Sequence, residues 1–508
     1  MGATHCSRDK GLTVRRAPAP EGSERKNAVS GLLANMWDWA VFVLLFGVTI
    51  FVHELGHFLT ALWTGMKVDT FSLGFGPAIW KKKARGITFK IGCIPVGGYV
   101  SIPQLDPGAM SAIQGRVEES DGGAHQASEA SPAPWKKILV VTAGGAGNVA
   151  FAVLAAWIIY LSPFVPDEGR GTAIGYVATN SVAYVRGIRP GDVIVAVNGN
   201  PVSTWYDYTV ECMLGKGRKS EVSVTVRRDG RTLSYALPVT DQGGGYYTVD
   251  GIVKSSECVI LDVMAGSPAE AAGFRTNDIV RTFDGVRVAG PGHFVLLVAE
   301  QGEREAVVVV ERGGKEVELR VTPRFDEKLG RTIIGVRPGE GGSVASPWMH
   351  HKRPWHQIRS DALRIKRFLV ALVTPGEARP AAEGVGGPVV VFLGLWAAVR
   401  QSLLNAVGFA RFLNINLAII NLLPLPVLDG GHVVFALWEC VTRRRVPAKL
   451  ANALVNAFAV LLVGVFIVLT YRDILRVRVW KRLREAAVAA QESAATNAVQ
   501  DVEQEHRP

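Results

Sequence analysis

Residues 53–57 read His-Glu-Leu-Gly-His. On a helix, His53 and His57 stand one turn apart on one face, so both imidazoles can reach one metal ion. Glu54 lies beside them, placed to take a proton from metal-bound water. So short a pattern arises by chance in many chains, and here its setting gives it weight. It falls in an apolar stretch from about Trp39 to Met66 whose one formally charged residue is Glu54. Ionisable groups inside a span of that kind are costly, which makes a functional site the default reading. The alternative is a structural polar cluster between helices.

A catalytic zinc typically takes three protein ligands and keeps one position open. Asp429 is the carboxylate inside another apolar stretch, in Asn421-Leu-Leu-Pro-Leu-Pro-Val-Leu-Asp-Gly-Gly431. His432, next to the same span, is a second candidate ligand. Pro424 and Pro426 interrupt the helix and the glycines permit close approach. Irregular backbone at membrane depth is tolerated only inside protein or along a cavity. His53 lies about 14 residues into its span and Asp429 about 17 into its own, roughly 21 and 26 Å at 1.5 Å per residue. The two groups can therefore meet.

Four stretches must position this chemistry: about 39–66, 138–163, 412–438 and 450–471. Each is long enough for a hydrocarbon core of about 30 Å. Lys67, Lys81, Lys82, Lys83, Arg85 and Lys90 follow the first, Lys136 and Lys137 precede the second, and Arg443, Arg444, Arg445 and Lys449 follow the third. These two short connections are expected in the cytoplasm, with the long middle segment and both termini outside. The basic run after the fourth span points the other way and is outvoted.

Composition agrees with a chain partly in the membrane. Of 508 residues 48% are hydrophobic and 20% charged, and the mean hydropathy is +0.20. That excludes a wholly disordered chain and a simple soluble enzyme. The net charge of +11 fits cytoplasmic loops better than a nucleic-acid surface. Cys6, Cys93, Cys212, Cys258 and Cys440 are scattered without a CxxC pair, which argues against a thiolate zinc site or a disulfide scaffold. Cys212 and Cys258 would share the outside compartment, where they could pair.

The segment between the second and third spans repeats at an offset of about 86 residues. Ser181 to Gly199 and Ser267 to Gly285 each read as a short helix ending at glycine, a turn, a strand and an Asn-Gly or Asp-Gly hairpin. Both copies, placed at 168–240 and 250–324, resemble PDZ domains, which add extended peptides to a sheet edge. The alternative is a pair of β-rich spacers. Residues 354–410 suit an interfacial amphipathic helix. Residues 1–35 read as a disordered extension without the apolar core of a signal peptide. Residues 105–134, rich in Gly, Ala, Ser and Pro, read as a disordered cytoplasmic linker, and 473–508 as a tail that from about Glu485 is polar and Ala-rich and suits a solvated helix.

Taken together, these motifs resemble the site-2 protease family of intramembrane zinc metalloproteases (peptidase family M50), in particular its bacterial regulator-of-sigma-E protease branch, from Met36 to about Tyr471. The resemblance implies a polytopic α-helical membrane protein with about four transmembrane helices, a membrane re-entrant β-loop and two inserted α+β PDZ domains. Its expected parts are 36–67 with HExxH, the β-loop at 68–104, 135–166, the two PDZ domains, 354–410, 411–440 with the Leu-Asp-Gly motif, and 449–472. It implies one zinc ion on His53, His57 and Asp429, with Glu54 activating water. It assigns substrate or oxyanion contacts to Asn148, Asn416, Asn421, Pro424 and Pro426. Where this chain has Gly145, beside Asn148, the family usually has proline. Implied partners are single-span membrane substrates such as a pre-trimmed anti-sigma factor or remnant signal peptides, extended peptides or C-termini at the PDZ domains, and the lipid bilayer, with no nucleic acid. The implied location is the bacterial inner membrane, with the PDZ domains outside the cytoplasm and the active site toward the cytoplasmic side. The rival readings are a catalytically inactive PDZ scaffold and a metal transporter.

Overall fold

Backbone groups in hydrocarbon must be satisfied within their own element, so apolar runs of membrane length become helices. The computed structural model describes residues 21–105, 132–163, 171–216, 221–241, 247–326, 331–340, 348, 351–444 and 446–505. Its main helices, in chain order, are α1 (Glu21–Trp63), α2 (Pro134–Leu161), α3 (Trp205–Lys216), α4 (Pro291–Gln301) and α5 (Pro354–Val373). They continue with α6 (Ala378–Gly384), α7 (Pro388–Gln401), α8 (Leu403–Asn421), α9 (Asp429–Thr442) and α10 (Ala448–Glu505). Met36–Trp63, Pro134–Leu161, Leu403–Asn421 and Ala448–Arg478 are long and apolar enough to cross a membrane.

Three bounds of these helices differ from those expected. The extension expected to be irregular up to residue 35 is helical from Glu21. Pro18 and Pro20 stand just before that start, and no proline follows within the helix. The tail is helical, and α10 runs into it through 473 without a break. The third span, expected over 412–438 with its helix interrupted at the prolines, is broken there and has other bounds. α8 begins earlier, at Leu403, and ends at Asn421; after a turn the chain restarts as α9 at Asp429. Pro424 and Pro426 lack the N–H a continuous helix needs. The backbone instead closes short bonds, Leu423 N–H to Ile420 O at 3.0 Å and Leu428 N–H to Leu425 O at 2.9 Å. Gly430 and Gly431 let the turn fold onto α9, since a Cβ on either would collide with the carbonyls of Leu422, Leu423 or Leu425. Residues 1–20, and the linker from 106 to 131, lie outside the described residues.

β1 (Thr70–Ala84) and β2 (Ile87–Ser101) follow α1. The hairpin folds back on itself: residues 70–73 pair with 98–101 on one side and lie along 88–91 on the other.

Each repeat closes later in the chain than the repeated motif suggests. In the first unit, β3 (Ile174–Val177) pairs with β9 (Ile252–Lys254), after β4 (Val193–Val197), β5 (Asn200–Pro201), β6 (Glu221–Arg228), β7 (Arg231–Asp241) and β8 (Tyr247–Val249). In the second, β10 (Cys258–Val263) pairs with the strand Val336–Glu340. The boundaries at 240 and 324 therefore omit the closing strands, whose Ile252 and Val336 pack against the two cores. The units share an internal brace. Asp192 accepts from Arg228 at 2.6 Å and from the Arg189 N–H, while Arg228 also donates to Gly187 O. Asp278, Arg312, Arg275 N–H and Gly273 O repeat the pattern. Cys212 and Cys258 lie in separate cores and are unpaired. Burial pushes both thiols up to about 12, as inert structural cysteines.

Only the first part of 354–410 is an amphipathic helix. α5 buries Gln357, Asp361 and Ile365, spaced one turn apart, and it packs on α2 and α8. α6 and α7 form a pair bent by 57°. Asp473 of α10 accepts from the Gly387 and Val390 N–H groups at 3.0 Å each, capping α7. Arg411 of α8 donates to Asp361 at 2.7 Å, to Gln357 Oε1 at 2.6 Å and to Trp348 O at 2.8 Å. The Arg411 and Asp361 side chains are 3% and 1% exposed. On its outer face α5 carries the first β unit, through Arg364 to Asp207 and Arg367 to Glu211 of α3, at 2.8 and 2.7 Å. Burial alone would raise the Asp207 carboxyl, but Arg364 and the nearby hydroxyls outweigh it and hold the group below its ordinary value.

Replacing Arg411 with leucine strands Asp361 as a buried, unpaired charge. The expected loss is about 3–5 kcal/mol, read as a lowered thermal transition of the detergent-solubilised protein. Replacing Asp361 with leucine as well should recover most of it. An unchanged transition in the single variant would mean the pair carries no such weight.

Candidate metal centre

α1 and α2 pack backbone against backbone. A Cβ on Gly56 would strike Ala143 O, and one on Gly147 would strike Val52 O. Small residues are what such close helix contacts require in a membrane. Gly144 sits under the histidine rings, where a Cβ would fall on His57 Nε2. Gly145 has room, with Ala418 O at 3.7 Å from its notional Cβ, and α2 runs through it unbroken. At the start of α2, Lys136 donates to Thr64 O at 2.9 Å and Lys137 to Glu439 at 2.7 Å, which ties it to the end of α1 and to α9.

This packing brings His53, His57 and Asp429 together. Nε2 of His53 lies 3.2 Å from Nε2 of His57, and Asp429 Oδ2 is 3.4 Å from each. Among the described residues these three form the group able to hold a metal ion. Asp429 occupies the first turn of α9, where the helix dipole favours a carboxylate. Its Oδ2 is buried without a hydrogen-bond partner. A cation among the three atoms would satisfy that oxygen. Two imidazole nitrogens and one carboxylate oxygen are a donor set that fits zinc and leaves a position open. His432 stands apart from the group, edge-on to Phe435 with ring centroids 6.2 Å apart.

The surrounding shell comes from α2, α8 and β2. His57 Nδ1 lies 2.8 Å from Val140 O, and His53 Nδ1 lies 3.2 Å from the Asn148 amide. Asn421, the last residue of α8, has Nδ2 at 3.5 Å from His53 Nε2. Two helical turns earlier, Asn414 donates to Thr49 Oγ1 at 3.0 Å. The Asn414–Thr49 bond fastens α8 to α1. Asn416 is half-buried and off the face that Asn414 and Asn421 share. Pro424 and Pro426 lie in the turn before Asp429, with Pro424 exposed. Glu54 is 9% exposed. Gly98 of β2 packs against the Glu54 side chain, leaving no room for a Cβ. Asn414 and Thr49 were not among the residues that the sequence singled out. Their signal was a second asparagine on the Asn421 face of the same helix.

The model of peptidase family M50 matches residues 41–465. The chain is similar to the regulator of sigma E protease of Haemophilus influenzae, 28% identical over 87% of this chain and 99% of that one. It is similar to the regulator of sigma-E protease RseP of Escherichia coli, 24% identical over 85% and 97%. It also resembles a Vibrio cholerae protein named for zinc metalloprotease activity, 28% identical over 82% and 93%. Of solved structures, the PDZ domain of an SdrC-like protein from Listeria monocytogenes aligns with 17% of this chain and 90% of its own, at 18% identity and a TM-score of 0.16.

Gly144→Ala should abolish metal binding, because the new methyl displaces the His57 ring. Gly145→Ala, one residue along, should bind metal as the parent does. Zinc content of the two purified variants checks the contrast; equal zinc in both would remove Gly144 from the site.

Proposed function

The chain belongs to peptidase family M50 and is a zinc metalloprotease. From that premise we propose that it hydrolyses peptide bonds inside the transmembrane segments of single-span membrane proteins, with one zinc ion on His53, His57 and Asp429. The observation that carries this reading is depth. The ligands converge among helices apolar enough to span a membrane, so the scissile bond must come to them there.

Held by His53, His57 and Asp429, a zinc ion would supply Lewis acidity toward the scissile carbonyl and toward water near neutral pH. The chain's own groups do the rest. Glu54, buried beside His57, takes the proton of the attacking water and returns it to the departing amide nitrogen. Asn421 Nδ2, close to the ligand nitrogens, donates to the carbonyl oxygen as it gains charge. Pro424 and Pro426 hold the turn that presents Asp429. A helical substrate shields its carbonyls and already hydrogen-bonds them, so it must first unwind. Residues 98–101 lie against Glu54 and, among the described residues, pair along one side only, with 70–73, which suits them to take the unwound segment as an added strand. The two external units act as PDZ domains that exclude substrates with bulky outer parts or read newly made C-termini. Substrates of this kind include an anti-sigma factor already trimmed outside, or remnant signal peptides. The enzyme sits in the inner membrane with these units outside the cytoplasm.

The test is cleavage of a short single-span reporter in liposomes. Glu54→Gln should keep its zinc and lose at least about 10²-fold in rate. Equal cleavage by parent and variant would place the catalysis elsewhere. With an untrimmed substrate, removal of both external units should permit cutting that the full chain refuses. Continued refusal by the shortened chain would count against the filter.

A further inference from the structure

We propose that Asn148 is a positioning residue for the metal ligand His53, accepting the Nδ1–H of that ring through its side-chain oxygen, and not a donor to the substrate. The inference rests on the reading that His53, His57 and Asp429 hold a zinc ion.

The atoms that converge are Nε2 of both histidines and Oδ2 of Asp429. A neutral imidazole that offers Nε2 to a metal carries its proton on Nδ1. That proton needs an acceptor, which fixes both the tautomer and the ring orientation. For His57 the acceptor is a backbone group, Val140 O, at 2.8 Å. For His53 the group facing Nδ1 is the Asn148 amide, at 3.2 Å through its nitrogen. An N–H cannot face an N–H. A half-turn of the amide exchanges its oxygen and nitrogen and gives Nδ1–H an acceptor.

A second observation supports the exchange. Asn148 is fully buried, and with its nitrogen toward His53 its oxygen is left buried without a partner. Turning the amide gives that oxygen the His53 proton. One helix thus orients both ligands, by its backbone at His57 and by a side chain at His53. It follows that Asn421 and not Asn148 is the amide available to the reacting carbonyl.

The experiment measures the zinc dissociation constant of the full-length protein in detergent, by competition with a chromophoric chelator. The proteins compared are the parent, Asn148→Leu and Asn148→Asp. Leucine keeps the volume without an acceptor and should weaken zinc binding about 10–100-fold. Aspartate accepts Nδ1–H more strongly and should bind zinc at least as tightly as the parent, even where proteolysis falls. If all three bind zinc equally, Asn148 does not position His53 and the proposal is overturned. If Asn148→Leu does not fold, the aspartate variant decides: binding as tight as the parent supports the assignment, and a tenfold loss overturns it. A parent that binds no zinc at all would overturn the metal reading itself, and the assignment with it.

Discussion

Two imidazoles and a carboxylate inside apolar helices impose the governing constraint on this protein. In water such groups would each be solvated; here their nitrogens and oxygen meet at 3.2–3.4 Å, and a cation is what satisfies all of them together. Much of the neighbouring architecture serves that meeting. α1 must approach α2 closely enough for the rings to cross it, so Gly56, Gly144 and Gly147 carry no side chain. α8 must end before the site, so that Asp429 can arrive from the first turn of a new helix. Leu422 to Leu428 are the residues that convert one into the other.

The polar groups around the centre form a graded shell rather than a set of equivalent catalytic residues. Val140 O and Asn148 face the Nδ1 sides of the His57 and His53 rings, so α2 acts as a template. Asn414 and Thr49 fix α8 on α1 and do not touch the ligands. Asn421 and Glu54 stand nearest the open side. β2 closes over Glu54 through Gly98, which places a strand with hydrogen-bonding capacity beside that carboxyl. A substrate made extended by pairing there would present its carbonyl to the same side.

Outside these helices, one buried ion pair links the membrane part to the β units. Arg411 belongs to α8, and Asp361 to α5. α5 in turn carries α3 of the first unit on Arg364 and Arg367, with Leu214 packed against Ala371 and Ala381. A displacement of the first unit would therefore load α5, and through Arg411 the helix that ends in Asn421. The connection consists of charged pairs with little exposure, which are costly to break by halves. That favours movement of α5 with its partners as one body.

Much of this was legible in the sequence. The spacing of His53 and His57, the isolated carboxylates in apolar runs and the two prolines before Asp429 pointed to the three side chains that converge, because a charge carried into hydrocarbon is costly and is kept there for function. The repeat reported two similar units, since Asn-Gly and Asp-Gly turns are local chemistry. Helix ends and closing strands were not legible. Whether Leu422 continues a helix, or whether Ile252 and Val336 complete a sheet, depends on partners distant in the chain. The roles of Asn148, Asn414 and Asn416 were equally hidden, because an asparagine has the same local signature whether it faces a ring, a neighbouring helix or neither. Residue type and spacing determined which chemistry the chain could perform. Packing alone decided which of several identical amides stands at the metal ligands, because that choice is made by the rotation of one helix against another.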